Sequence, residues 1–326
     1  MQEYAEGWSD PADPHRHSTD PRVLARVRGL EFRARLIVEG FISGLHRSPY
    51  RGFSIEFAEH RKYTQGDDLR HLDWRMLGRT DKHYVKQYDQ DTNLRMLFVL
   101  DRSASMDYRS DREGLSKREY GAALVAAMAY LALQQSDAVG LAVCDDSVRR
   151  LIRASNSPAQ WKTLLHEMEA PRSASPTRLR PVLDELAETL RRRHVVVLVS
   201  DLFDEPRAIL GGLRHLCHRR HEAIVFHVLD RAELEFPFSQ STRFEDLESR
   251  DTVRTEPRVV RQRYRREIGA FLDEVRRGCL SEQIDYALFQ TGEPLDKALV
   301  GYLVHRAGGS RETAAPRGAH GGGPTA

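Results

Sequence analysis

Apolar runs alternate with amphipathic stretches along most of this chain. Runs rich in Val, Leu and Ile, the pattern of strands buried on both faces, lie at 94–100, 138–144, 194–200, 223–229 and 284–289. Helical patterns separate most of these runs, at 116–135, 158–169, 178–193, 205–219, 257–278 and 294–305. Helices of ten or more residues between strands indicate crossover connections. The pattern therefore predicts an α/β fold with a doubly wound, mostly parallel sheet of Rossmann-like type.

The amino-terminal part follows a different pattern. Apolar residues recur at helical spacing over 21–46, and two strand-like runs, 53–63 and 83–90, enclose a polar, turn-rich centre. Such a mixture is typical of a small α+β unit. We therefore expect a smaller α+β module over 21–92 and a sheet domain over 93–306.

Composition says little about binding partners but more about the cellular compartment. Charged residues make up 30% of the 326 residues, yet the net charge is only +2, so nothing draws the whole chain toward nucleic acid or acidic membranes. The tails, 1–20 and 307–326, have little to bury and are expected to be disordered. The longest apolar run, 122–133, spans about 18 Å as a helix, against roughly 30 Å for a membrane core. Three distant cysteines without a CxxC pair indicate reduced thiols, and we expect a cytoplasmic protein without a membrane span.

Polar side chains with metal-binding chemistry follow the first buried strand. Asp101, Ser103 and Ser105 can turn one carboxylate and two hydroxyls toward a single point, and hard oxygen ligands suit Mg²⁺ or Mn²⁺. Asp201 ends another strand, and Thr177 precedes a helix. Ligands of such sheets bind beyond the carboxyl ends of the strands, so we expect these five residues to form one metal site. The alternative is that they are turn and helix-capping residues.

This set resembles the metal-ion-dependent adhesion site of von Willebrand factor A domains, in order and spacing, over residues 94–305. The resemblance implies that Ser103, Ser105 and Thr177 approach the metal directly, while the two aspartates act through water. It also implies that a Glu or Asp of a partner protein completes the metal shell. The Gly-Gly that usually precedes the threonine is replaced here by Ser175-Pro176.

A second motif lies upstream. Its polar centre contains Gly66, Asp67, Asp68, Arg70 and Asp73. With Glu56-Phe57 and the run 84–88, it resembles an uncharacterised bacterial domain-of-unknown-function family in which an A-like domain follows this module. The resemblance implies a MoxR-type AAA+ ATPase as partner, and these polar residues are candidates for docking the ATPase or a client protein. The same residues also suit structural roles in turns, caps and an i,i+3 ion pair.

Enzymatic alternatives find weaker support in the residues. The chain has no Gly-x-Ser-x-Gly elbow and no phosphate-binding glycine loop, so we do not expect serine hydrolase activity or binding of nucleotide phosphates. His215, His218 and His221 lie at helical spacing and are expected to form an exposed basic helix end in preference to a zinc site. We predict a metal-dependent adaptor that is not an enzyme and that works with the ATPase in assembly or maturation of a client complex. The alternative is a divalent-metal hydrolase that uses the acidic cluster of the upstream motif.

Overall fold

The computed structural model describes residues 19–27, 29–47, 60–62, 84–86, 94–170, 177–248 and 251–312. The strands are β1 His60–Lys62, β2 Tyr84–Lys86, β3 Arg95–Asp101, β4 Ala138–Cys144, β5 Val148–Ser155, β6 Val195–Ser200, β7 Glu222–Leu229, β8 Thr242–Glu245, β9 Thr252–Thr255 and β10 Asp285–Gln290. The α-helices are α1 Pro21–Arg26, α2 Leu30–Arg47, α3 Lys117–Gln134, α4 Gln160–Glu169, α5 Leu179–Thr189, α6 Pro206–His218, α7 Arg231–Glu235, α8 Pro257–Ser281 and α9 Leu295–Glu312. A 3₁₀ helix covers Ala104–Asp107.

Six strands form the central sheet in the order β10-β7-β6-β3-β4-β5. All neighbours are parallel except β4 and β5, which only the short turn at 145–147 connects. A turn of that length reverses the chain and cannot make a crossover. The predicted α/β fold with a mostly parallel, Rossmann-like sheet is therefore confirmed.

Both faces of the sheet are covered, which explains the continuous apolar runs. On β3, Phe98 and Leu100 pack into a core shared with α2, α3, α4 and α9. The alternate residues Leu97 and Val99 pack into a second core with α5, α6 and α8. The sheet is thus a layer between two helical layers. Its carboxyl edge positions the residues at the ends of β3 and β6.

Close packing of α3 on the sheet depends on its small residues. A Cβ atom added at Gly121 would lie 3.0 Å from Cγ1 of Val199, so the helix backbone approaches β6 closely. The helix begins with a capping box in which Ser116 and Glu119 exchange hydrogen bonds. This box fixes the start of the helix, whose first residue is Lys117.

The single helix predicted over 21–46 is wrong in detail, because the structure has two helices there. Gly29 adopts φ +89°, a left-handed conformation that breaks the helix and that glycine tolerates. The second helix, α2, packs its residues Ala34 and Ile37 into the same core as α3. The boundary near residue 93 stays a prediction, because most of the chain between 48 and 93 lies outside the described residues.

The sequence patterns did not predict α7 or the hairpin of β8 and β9. Both are short, and the hairpin strands are largely exposed, so neither carries a clear apolar periodicity. The strand-like runs around the upstream motif contribute the antiparallel pair β1–β2. Cys144, Cys217 and Cys279 are free thiols, and the first and third are buried. No helix among the described residues combines the length and the apolar character that a bilayer crossing requires.

Candidate metal centre

Asp101 is the last residue of β3, and its side chain is fully buried. Its Oδ1 accepts a hydrogen bond from the Ser103 backbone N–H at 2.9 Å, and its Oδ2 accepts one from the Ser200 hydroxyl at 2.5 Å. The 3₁₀ helix that follows turns the chain so that the hydroxyls of Ser103 and Ser105 lie 3.1 Å apart. Three predicted ligands therefore lie in one loop, in hydrogen-bonded succession.

Asp201 follows β6, the neighbour of β3 in the sheet, and is also fully buried. The imidazole of His227 donates from Nε2 to the Asp201 carbonyl at 2.8 Å, while its Nδ1 accepts from the Tyr286 hydroxyl at 2.8 Å. Burial lowers the pKa of His227 to about 4, so this ring is neutral near pH 7. The ring therefore positions the Asp201 backbone without adding a charge.

Lys117 is the residue of this site that sequence reasoning missed. Its ammonium has no exposed surface and donates to Oδ2 of Asp201 at 2.7 Å and to Oε1 of Glu233 at 2.6 Å. It also lies 4.6 Å from the centre of the Phe203 ring, a cation–π distance. A lysine in the first turn of a helix is unfavourable, because the helix dipole is positive there. This unfavourable position is the feature of the sequence that could have indicated an acidic partner for Lys117.

Charge is distributed unevenly over the two aspartates. Burial, and then repulsion from Asp201, raise the pKa of Asp101 to about 7. Burial alone would lower the pKa of Lys117, but Asp201 and Glu233 outweigh it and the pKa is raised. The ammonium is therefore charged, and Asp201 and Glu233 share it. Among the described residues Asp101 has hydrogen-bond donors and no cation partner, so the carboxyl group without a compensating positive charge is the one at the end of β3.

Thr177 lies at the same edge of the sheet. The residue after it, Arg178, donates its N–H to the Asp145 carbonyl beyond β4 at 3.2 Å. The next N–H, that of Leu179, bonds to Asp204 beyond β6 at 2.9 Å. Because β3 lies between β4 and β6 in the sheet, this segment crosses the edge where β3 ends. The polypeptide thus brings Thr177 to the side of the sheet where Asp101 and Asp201 lie.

The Thr177 hydroxyl is engaged by a carboxylate from the unpredicted hairpin. It donates to Oε1 of Glu248 at 2.9 Å, and the Thr177 N–H donates to the same oxygen at 3.2 Å. Glu248 lies in the turn between β8 and β9. The capping alternative for Thr177 is wrong, because the cap residue of α5 is Arg178 and it makes no side-chain cap. The third predicted hydroxyl ligand, that of Thr177, is therefore hydrogen-bonded to a carboxylate of this same chain.

The other candidates do not join this site. Helix α6 ends at His218, and His221 lies beyond it and is buried, so the three histidines do not share a helix face and the expected exposed helix end is wrong for His221. The ring of His215 bonds instead to Asp184 and Glu188. The upstream candidates lie outside the described residues: Gly66, Asp67, Asp68, Arg70 and Asp73.

The donor set fits a hard divalent cation. In the ranges that the structure describes, no three His, Cys, Asp or Glu side chains converge as a metal cluster. The expected set is of a different kind, because three of its five side chains are hydroxyls and only two are carboxylates. Ser103 and Ser105 offer adjacent hydroxyl oxygens, and Asp101 offers a buried carboxylate whose raised pKa a cation would reverse. These are the oxygen donors that Mg²⁺ and Mn²⁺ prefer.

Comparison with known proteins gives a family. A model described as "Protein of unknown function DUF58" matches residues 59–270. The uncharacterised proteins Rv1480 of Mycobacterium tuberculosis and Mb1516 of Mycobacterium bovis are each 29% identical over 233 residues, which is 71% of this chain and 72% of theirs.

Two solved structures also match. BatB from Bacteroides thetaiotaomicron has a TM-score of 0.41 and 10% identity over 66% of this chain and 99% of its own. An aerotolerance-related membrane protein from Bacteroides fragilis has a TM-score of 0.45 and 13% identity over 65% and 99%. The family model covers well over half of the chain, and the chain therefore belongs to the DUF58 family of proteins of unknown function.

Proposed function

We propose that this protein is a metal-ion-dependent interaction protein whose A-like domain holds Mg²⁺ or Mn²⁺ at Asp101, Ser103 and Ser105. It acts as an adaptor for a MoxR-type AAA+ ATPase in assembly or maturation of a client complex, and it is not an enzyme. The observation that carries the metal site is the pair of hydroxyls 3.1 Å apart beside a buried carboxylate. The ATPase rests on the family resemblance of the upstream motif.

The charges explain why such a site would bind a partner. Two neutral hydroxyls and one carboxylate leave a divalent cation with net positive charge. The second carboxylate corrects this only in part, because Asp201 shares the Lys117 ammonium with Glu233. When bound, the metal supplies a Lewis-acidic position for an outside carboxylate. A Glu or Asp of the partner fits that position, as the resemblance to adhesion sites implies.

The polar groups around the loop are arranged for holding and not for nucleophilic attack. The Ser200 hydroxyl donates to Asp101 inside the core, and the imidazole of His227 has both nitrogens engaged by Asp201 and Tyr286. A serine nucleophile needs a base within hydrogen-bond reach. Neither residue offers one to Ser103, and the carboxylate that does reach its side chain, Asp101, is itself a proposed metal ligand. This supports a binding function.

The metal site is tested by direct titration of Mn²⁺, followed by electron paramagnetic resonance of the free ion. We expect one site per chain, weakened at least about ten-fold, or about 1.4 kcal/mol, in Ser103→Ala. The matched control is Ser281→Ala, at the exposed end of α8, which should leave the affinity unchanged. Equal affinities in the wild type and Ser103→Ala would overturn the assigned ligands.

The partner is tested separately with the purified MoxR-type ATPase from the same cell. We expect binding in Mg²⁺ that EDTA abolishes and that Asp101→Ala removes. Metal-independent binding would contradict the role of the metal in partner capture, whereas no binding would contradict the choice of partner. Metal-dependent cleavage of a phosphodiester, lost in Asp67→Ala, would instead establish the hydrolase alternative.

A further inference from the structure

Five arginines gather at the opposite, amino edge of the sheet. They come from the two loops that lead into β6 and β7, and with one histidine they line a cavity of ≈ 610 Å³. Parallel neighbours begin at the same edge, so the two loops lie side by side. The lining residues are Arg191, Arg192, Arg193, Arg219, Arg220 and His221.

The described residues balance only part of this positive charge. Arg219 pairs with Glu188. The remaining four guanidinium groups are exposed, and none of them has a carboxylate within ion-pair distance in the described part of the chain. Like charges around one cavity repel each other, and an arrangement of this kind is stabilised by a polyvalent anion.

His221 provides a second, independent observation. Its side chain lines the same cavity, yet the residue is only 6% exposed. Nδ1 accepts a hydrogen bond from the His194 N–H at 3.2 Å, so in the neutral ring Nε2 carries the proton. Among the described residues that N–H has no acceptor in good hydrogen-bond geometry. The Leu190 carbonyl is a weak backbone acceptor for the ring and raises its pKa, but it is poorly placed.

A buried donor with only a poorly placed acceptor is unfavourable unless a ligand supplies a better one. Burial lowers the pKa of His221, and the nearby His194 lowers it further, so the ring stays neutral and keeps Nε2–H as a donor. The cavity therefore combines a buried neutral donor with unpaired guanidinium groups at its rim. This combination matches a ligand with several acceptor oxygens and more than one negative charge.

We propose that this cavity is a binding site for phosphate groups, free or carried by a nucleotide. Guanidinium groups bind phosphate oxygens in pairs, and His221 donates to a further oxygen. A diphosphate would offset most of the positive charge of the arginines that lack an acidic partner. The site lacks a glycine-rich phosphate loop, so it binds phosphate without the machinery of a nucleotide hydrolase. It stands independently of the metal centre, which lies at the other edge of the sheet.

The test is isothermal titration calorimetry of the full chain with inorganic pyrophosphate at physiological salt. We expect one saturable site per chain. The double variant R193Q/R220Q should weaken binding at least ten-fold, and H221F should weaken it as well. The matched control is R263Q/R266Q, two exposed arginines of α8, which should bind as the wild type does. Thermal unfolding with and without pyrophosphate shows whether each variant is folded, and the shift should vanish only in the cavity variants.

Two further ligands distinguish the sources of the phosphate. ADP binding as tightly as pyrophosphate points to the phosphates alone, and tighter ADP binding points to a nucleotide; both outcomes support the site. Absence of saturable pyrophosphate binding overturns the proposal. So does an equal loss in R263Q/R266Q, because the interaction would then reflect general charge. Binding of heparin or duplex DNA without pyrophosphate binding also overturns it, since the surface would then recognise an extended polyanion.

Discussion

Replacement of Lys117 by methionine tests the buried ion pair at the metal centre. Methionine keeps the length of the side chain but removes the ammonium, which leaves Asp201 with no exposed surface and no cation partner. Glu233, 13% exposed, loses the same partner. Removing one partner of a buried pair costs about 3–5 kcal/mol, because an uncompensated charge stays in the core.

The structure favours a value within that range. The contact of the ammonium with the Phe203 ring is lost too, worth about 0.5–2 kcal/mol. Glu233 keeps some contact with water, which reduces the penalty on that side. We therefore expect Lys117→Met to lower the free energy of unfolding by about 4 kcal/mol, a large part of the roughly 5–15 kcal/mol typical of a domain.

Urea unfolding followed by circular dichroism measures this loss. The matched control is Lys162→Met, an exposed lysine of α4, which should change stability by less than about 0.5 kcal/mol. The cycle of Lys117→Met with Glu233→Gln isolates the pairwise interaction. A loss below about 1 kcal/mol for Lys117→Met would refute the reasoning, because that is the range of an exposed pair.

The same variant also reports on the metal. Without the ammonium, Asp101 and Asp201 both lack a cation, and their mutual repulsion is relieved by a divalent ion. We expect Mn²⁺ to bind more tightly to folded Lys117→Met than to the wild type. Unchanged affinity would mean that Asp201 does not contribute to the metal position.

Three further predictions follow from single contacts. Glu248→Gln weakens the acceptor that holds the Thr177 hydroxyl, so metal-dependent partner binding should strengthen. The control is Glu256→Gln, an exposed residue directly after β9, and unchanged binding in Glu248→Gln would show that this contact does not restrain the site. His227→Gln should weaken the dependence of the free energy of unfolding on pH below 6.5. The pKa of His227 is lowered to about 4 in the folded protein, so the wild type should lose about 3 kcal/mol as pH falls from 6.5 toward 4. Urea unfolding at several pH values measures this slope, and an unchanged slope in the variant would contradict the reasoning. Gly140→Ala places a Cβ 2.7 Å from a backbone oxygen and should lower the free energy of unfolding by about 1–3 kcal/mol in chemical denaturation. A Cβ at Gly269 meets nothing within 4 Å, so Gly269→Ala should instead stabilise its helix by about 0.5–1 kcal/mol. Equal effects of the two substitutions would contradict the packing argument.

The α/β architecture was predictable because its signal is local. Runs such as 194–200 and 223–229 are apolar on both faces, and that is possible only for strands covered on both sides. The position of Asp101 at a strand end follows from the same pattern. By contrast, the hairpin of β8 and β9 is short and exposed. Its role depends on the contact that Glu248, in its turn, makes with Thr177.

The sequence by itself determined the sheet, the loop of Asp101, Ser103 and Ser105, and the carboxylate after β6, because each depends on residues near in sequence. Only the tertiary structure decided which charges meet: Lys117 reaches Asp201 across 84 positions, and Glu248 reaches Thr177 across 71. Contacts at such separations depend on strand order and helix packing, which no local periodicity encodes. Electrostatic energies depend steeply on distance and burial, so the charge balance of the site had to come from the fold.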